Sequence, residues 1–407
     1  MTTSDAMLSV QTVVHERKSK RLKTAAYFIT LAFLGMIAAA LGPALPGLAE
    51  HTRTQLSEVS FLLSAFALGQ LAGYLAGGQL LDRVAGHPVM GIAVCCAAVA
   101  LFLVPLIPLL WVLSLVMFLL GACSGMLDIG CNTLLMWVHG HNVGPYINAM
   151  HFCFGAGAFF APMIIAELTE RSGDISWGFW VLALLGLPAA IALLAQPSPE
   201  RCNTAQHSAS QHNARTDYQA VALIALFFFA FIGAELGFGW WIYTYVIELG
   251  LGTIVVASYI TSLYWGAVAL GRLAAVFLSL RFSPRTILWS ALLGSLASMT
   301  LILALPDSQT AIWIGTFGAG FTIGPLFPVI LAFAERHMPI TGRVTSLFFI
   351  GTSLGGMFIP WLIGQVFESV GPLVTMFAVM AAMIVATAVF GTLAYVTRGR
   401  VPLRAGH

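Results

Sequence analysis

The chain has 407 residues, of which 59% are hydrophobic and 8% charged, with a formal net charge of +2. Soluble globular domains carry about 25% charged residues, so a water-soluble enzyme is excluded at the outset. A net charge so near zero carries no nucleic-acid footprint, and the length accommodates a dozen bilayer spans of about 20 residues each.

The first 23 residues are polar and end in Arg17, Lys18, Lys20, Arg21 and Lys23, ahead of an apolar run containing Gly42, Pro43 and Pro46. That run is too long for a cleaved signal sequence, and its basic flank predicts a cytoplasmic start. Charges and Gly/Pro punctuation then divide the first part of the chain into spans near 24–48, 58–81, 88–106, 110–137, 146–167 and 177–195. After a polar segment come spans near 219–246, 255–280, 286–305, 311–334, 344–367 and 373–396. The expected architecture is an all-α membrane protein with twelve transmembrane helices. A cytoplasmic tail (1–23) leads to a six-helix bundle (24–195); a flexible cytoplasmic linker (196–218), a second six-helix bundle (219–396) and a cytoplasmic tail (397–407) follow. With both termini inside, cytoplasmic segments collect Arg83, Arg201, Arg281, Arg285, Arg336 and Arg398 among others. The outside holds only Arg53 and Arg171, a one-sided positive-inside bias. Cys95, Cys96, Cys123, Cys131 and Cys153 fall in apolar runs and Cys202 in the linker, with no spacing of a disulfide framework or zinc site.

An internal repeat is visible. Ala67-Leu68-Gly69-Gln70-Leu71-Ala72 in the second span recurs as Ala269-Leu270-Gly271-Arg272-Leu273-Ala274 in the eighth, and the same offset sets Arg83 opposite Arg285. Gly157 and Pro162 in the fifth span are matched by Gly355 and Pro360 in the eleventh. Two similar halves can rock about a site near the midplane, exposing it to one side at a time.

The polar groups at that depth are the candidate site. Asp128 stands mid-span in Gly125-Met126-Leu127-Asp128-Ile129-Gly130-Cys131-Asn132, where a carboxylate is costly unless paired, hydrated or protonated. With Asn132 one turn later it is a candidate for holding a proton or sodium ion; the plainer alternative is a neutral Asp that locks helix packing. Glu235 is a second candidate coupling acid. It precedes Trp241 and Tyr243, which either offer ring faces and donors to a sugar or form an interfacial belt. In the eighth span Tyr264, Trp265 and Arg272 are candidate ligand contacts; Arg272 either pairs with a buried carboxylate or snorkels to the interface. Gln70, its repeat counterpart, can hydrogen-bond ligand or helix. His151, one turn after Asn148 in the fifth span, suits proton transfer, and a helix-to-helix hydrogen bond fits it equally. The turn Gly78-Gln79-Leu80-Leu81-Asp82-Arg83 is a candidate gating loop, with Arg83 able to pair across the halves.

These residues resemble a known family. The Gly-x-x-x-Asp-Arg turn is similar to the major facilitator loop signature, although Gly86 comes one position late and His87-Pro88 replaces the usual basic pair. The acid at 128 with Asn132 resembles the fucose permease group of sugar and cation symporters. Met150-His151-Phe152 with Gly155, Gly157, Ala161 and Pro162 is similar to the sodium-dependent glucose transporter branch of that group. So are the stretch from Glu235 to Tyr245 and the run from Tyr259 through Trp265 to Arg272. Gly324-Pro325-Leu326-Phe327-Pro328 and Gly351 to Pro360 extend the likeness. The resemblance implies a major facilitator fold and sugar uptake. Fucose permease is expected to carry a second acid in its first span; none lies between Thr24 and Leu48 here, which shifts coupling to Asp128, with Glu235 as a second candidate.

The resulting expectation is a monomeric, multi-pass carrier of the plasma (bacterial inner) membrane. It couples a proton or sodium ion to a monosaccharide or similar polyol, with no cofactor and no metal other than sodium at Asp128. The rival is a proton-driven exporter of amphipathic compounds, although Met163-Ile164 replaces the small residues expected after Pro162 in an antiporter signature.

Overall fold

The computed structural model describes residues 3–200, 217–338 and 342–398, and every regular element among them is helical. Residues 201–216 of the predicted linker, Cys202 and the end of the C-terminal tail lie outside the described residues. Twelve helices are long and apolar enough to cross a membrane. In chain order they are α1 (Arg17–Thr52), α2 (Leu56–Leu81), α3 (Gly86–Leu106), α4 (Leu110–His139), α5 (Gly144–Ser172) and α6 (Ser176–Leu194). The second set is α7 (Tyr218–Glu248), α8 (Ile254–Ser279), α9 (Pro284–Ala304), α10 (Gln309–His337), α11 (Val344–Val370) and α12 (Val374–Val396). Helix α1 continues outward as far as Thr3. Number and order match the apolar runs because hydrocarbon tolerates no unsatisfied backbone, so run and helix coincide. Large apolar side chains such as Leu75, Trp111, Ile191 and Leu280 stay exposed on the outer faces, where lipid takes the place of water.

Both halves pack by one scheme, as the repeat requires. α1 lies against α5, α2 against α4 and α3 against α6; six helices later α7 lies against α11, α8 against α10 and α9 against α12. Between the halves α2 meets α11 and α5 meets α8. The α2–α4 crossing is lined by glycine from both sides. A Cβ on Gly69 or Gly73 would enter the α4 backbone at Phe118 and Ala122, and one on Gly121 or Gly125 would enter α2 at Phe66 and Gln70. Lipid supplies no hydrophobic drive between helices, so such close backbone contact is what holds them. Asp128, less than one turn beyond Gly125, is thereby set against α2. Helix α10 breaks between Ile323 and Leu326, where Pro325 has no N–H to donate and Gly324 lies against the Val268 carbonyl of α8.

The two ends of the molecule differ. At the end formed by the α1–α2, α7–α8 and α11–α12 turns, hydrogen bonds cross between the halves. Leu56 N–H donates to Glu368 Oε1 at 2.8 Å, and Gln365 Nε2 donates to the Ser57 carbonyl at 2.7 Å and to Ser60 Oγ at 3.2 Å. Trp240 Nε1 donates to the Ala38 carbonyl at 2.8 Å, and the edge of Phe66 meets the Trp240 ring. This end is sealed. At the opposite end Asp82 and Arg83 are exposed and have no ion-pair partner among the described residues. The expected pairing of Arg83 across the halves is therefore not made among the described residues.

Glu368 is the charged member of the sealed-end clasp. Replacing Glu368 by Ala is expected to shift the distance distribution between spin labels at Arg53 and Ser369 toward longer values, in a chain whose native cysteines are replaced. An unchanged distribution would show that the apolar contacts seal this end without it.

Candidate functional site

Asp128 projects from α4 where the glycine-lined crossing brings α2 closest, and its carboxylate is only partly buried. Tyr74 O–H on α2 donates to Asp128 Oδ2 at 2.9 Å. Asn132 Nδ2 donates to Asp128 Oδ1 at 3.0 Å and to the Asp128 backbone carbonyl at 2.9 Å. The expected Asp128–Asn132 pair is thus in contact, and Tyr74 completes it. Tyr74 was not among the candidates, although it lies one turn after Gln70 and shares its helix face. Every partner of this carboxylate is neutral, and among the described residues no cation pairs with it. Neutral donors stabilise a carboxylate without cancelling its charge, so the group keeps the capacity to take up a cation.

Glu235 on α7 is held differently. It is 3% exposed, and Arg272 Nη2 on α8 donates to its Oε1 at 3.0 Å. Of the two readings open for Arg272, pairing with a buried carboxylate is the one observed. Helices α7 and α8 are pinned at the same level by Tyr264 O–H, which donates to the Glu235 backbone carbonyl at 2.8 Å. Glu235 is therefore neutralised inside its own half by a fixed cation, and Asp128 is not. His151 on α5 is partly buried and makes no side-chain hydrogen bond among the described residues.

The remaining candidates divide. Among the described residues Trp265 Nε1 and Arg272 Nε are buried and have no hydrogen-bond partner; seven residues apart on α8, they offer two donors along one helix face. Buried donors are usually satisfied, and these two share that lack of a partner with other buried groups of the C-terminal half such as Tyr245 and Trp361. Gln70 is partly exposed and Asn148 exposed, neither with a side-chain hydrogen bond among the described residues, and Tyr243 is buried. Trp241 and Tyr264, both expected at the ligand, are occupied elsewhere. Trp241 Nε1 donates to the Pro360 carbonyl at 2.9 Å with its ring over Phe367, and the Tyr264 hydroxyl is spent on Glu235. In this conformation both tie helices of the C-terminal half together. Among the described residues no three His, Cys, Asp or Glu side chains cluster as a metal site.

Twelve spans in two matching halves, with one end clasped between the halves and acids at the centre, define a membrane carrier. The chain belongs to the Major Facilitator Superfamily, whose model matches residues 27–360. It is 28% identical to sodium-dependent glucose transporter 1 of Xenopus laevis and 27% identical to that of Homo sapiens, covering 81% of this chain and 72% and 71% of those proteins. Major facilitator superfamily domain-containing protein 4A of Homo sapiens is 23% identical over 91% of this chain and 90% of its own length. A crystal structure of a mutant of the nucleoside transporter NupG superposes with a TM-score of 0.72 at 13% identity, covering 92% of this chain and 99% of that one. The protein is an integral, multi-pass transporter and not an enzyme.

Removing one member of a buried ion pair strands the other, at a cost of about 3–5 kcal/mol. Arg272→Met is therefore expected to lower the thermal midpoint more than the double substitution Arg272→Met with Glu235→Gln. Equal midpoints for the two variants would show that Glu235 does not depend on Arg272 for its charge balance.

Proposed function

We propose that this transporter carries a monosaccharide or similar small polyol together with a proton or sodium ion, by alternating access across the plasma membrane. One observation carries the reading: the Asp128 carboxylate, midway through α4 and still partly accessible, is held among the described residues only by Tyr74 and Asn132. Binding a cation there removes a charge that would otherwise oppose closure of the halves around it. The unpartnered donors of Trp265 and Arg272, with Gln70 and Asn148 across the interface, supply the hydrogen bonds that hydroxyl groups accept and return. The similarity to sodium-dependent glucose transporters supports the same substrate class.

The positive-inside bias assigns the end with Asp82 and Arg83 to the cytoplasm, so the clasped end is the outer one and the described conformation is closed to the outside. In the outward-facing state Glu368 and Gln365 release α2, ion and sugar enter, and the halves rock until Asp128 faces inward again. Each positive charge moved inward is driven by roughly 2.3 kcal/mol per 100 mV, equivalent to about a fiftyfold concentration ratio, which is enough for accumulation.

Proteoliposome uptake of labelled hexoses under imposed proton or sodium gradients tests the reading. Gradient-driven accumulation is expected for the parent chain, and Asp128→Asn, which keeps the volume and removes the charge, is expected to exchange sugar without accumulating it. Absence of sugar uptake under either gradient, or accumulation undiminished in Asp128→Asn, would contradict it.

A further inference from the structure

The carrier holds a second polar site, away from Asp128. At the end that carries Asp82 and Arg83 a cavity of about 460 Å³ opens within the N-terminal half alone, between the start of α1, the end of α4 and the start of α5. Small-ligand sites run from about 300 to 1,000 Å³. Arg17, Lys20, Arg21 and Thr24 line it from α1, His139 from α4 and Tyr146 from α5. Spacings of three, four and seven residues put the α1 members on one face, above an apolar floor of Ala25 and Phe28. Lys18 and Lys23, on the same helix, do not line it. The basic stretch is thus not a uniformly charged flank: part of it is gathered into a concavity.

The wall opposite the cations is fixed. Thr24 O–H donates to the Lys20 carbonyl at 2.8 Å, which leaves Thr24 Oγ1 as the acceptor for His139 Nε2–H at 2.7 Å. His139 is stacked on Tyr146 with ring centroids 3.6 Å apart. Ring orientation and tautomer are set together, so the His139–Tyr146 stack is a fixed wall and the donors for an anion come from α1. Among the described residues neither Arg17 nor Arg21 has a carboxylate partner, and no acidic residue lines the cavity. Guanidinium groups present planar donor pairs that match the oxygens of a phosphate group.

We propose that this cavity binds a phosphate group, with Arg17 and Arg21 as its principal contacts and the His139–Tyr146 stack as its wall. The group is carried by an anionic phospholipid at the bilayer surface or by a soluble phosphate. Occupancy ties the outer turns of α1 to α4 and α5, so the ligand bears on the N-terminal half as a unit. This proposal does not rest on the sugar reading, because none of these residues takes part in it.

The test uses the full-length carrier, stripped of lipid in a non-ionic detergent, and native mass spectrometry to count bound adducts. It is titrated separately with inorganic phosphate, glycerol phosphate, phosphatidylglycerol and phosphatidylcholine. A preference for phosphatidylglycerol over phosphatidylcholine assigns the site to a lipid headgroup; binding of the soluble phosphates without lipid preference assigns it to a soluble ligand. Either result supports the proposal if Arg17→Gln with Arg21→Gln weakens binding by at least about tenfold while Lys18→Gln with Lys23→Gln leaves it within about twofold. Thermal midpoints of both double variants confirm folding. Absence of binding to all four probes, or equal loss in the two double variants, overturns it.

Discussion

A carboxylate inside a bilayer must find a partner, and the kind of partner decides what it can do. Two acids in this chain meet that constraint in opposite ways. Glu235 is sealed against Arg272 within the C-terminal half, a closed charge balance that needs nothing from outside. Asp128 is held by a phenol and a carboxamide, which orient it and leave its charge in place. An open balance of this sort is suited to a group that exchanges its counter-ion at every turnover. The glycine-lined contact of α2 and α4 is the structural device behind it, since only that close approach brings Tyr74 within hydrogen-bond reach of Asp128.

The symmetry of the halves gives the site its surroundings. Equivalent helices pack in equivalent ways, and the contacts between halves, α2 with α11 and α5 with α8, are themselves related by the repeat. Gln70 and Arg272 occupy matching positions in this scheme, yet one is neutral and the other charged. The repeat keeps the frame, and the difference between Gln70 and Arg272 leaves the acid of one half with neutral partners and pairs the acid of the other with a cation.

Much of the fold was legible because lipid enforces a simple code: a span must be apolar and helical over its whole length. The Ala67 to Ala72 repeat, Asp128 with Asn132, and the isolated positions of Glu235 and Arg272 could all be read directly. What could not be read is contact across helices. Tyr74 gives no signal in an apolar run, where a tyrosine reads as packing or an interfacial anchor. Trp241 and Tyr264 read as ligand donors because their true acceptors, the Pro360 and Glu235 carbonyls, are backbone atoms that no side-chain pattern reveals. The break in α10 lay in plain view at Gly324-Pro325, but helical runs resume on both sides and mask it. Arg83 was expected to latch one end; a sequence does not say which of two conformations its charges will be found in.

The central claim is that Asp128 is the group whose charge an incoming ion cancels. Infrared difference spectroscopy on the reconstituted carrier, recorded as protons or sodium ions are perfused across it, measures that event directly. A carboxyl difference band that appears in the parent and in Glu235→Gln and vanishes in Asp128→Asn is the predicted result. A band that survives in Asp128→Asn would place the ion elsewhere and contradict the account.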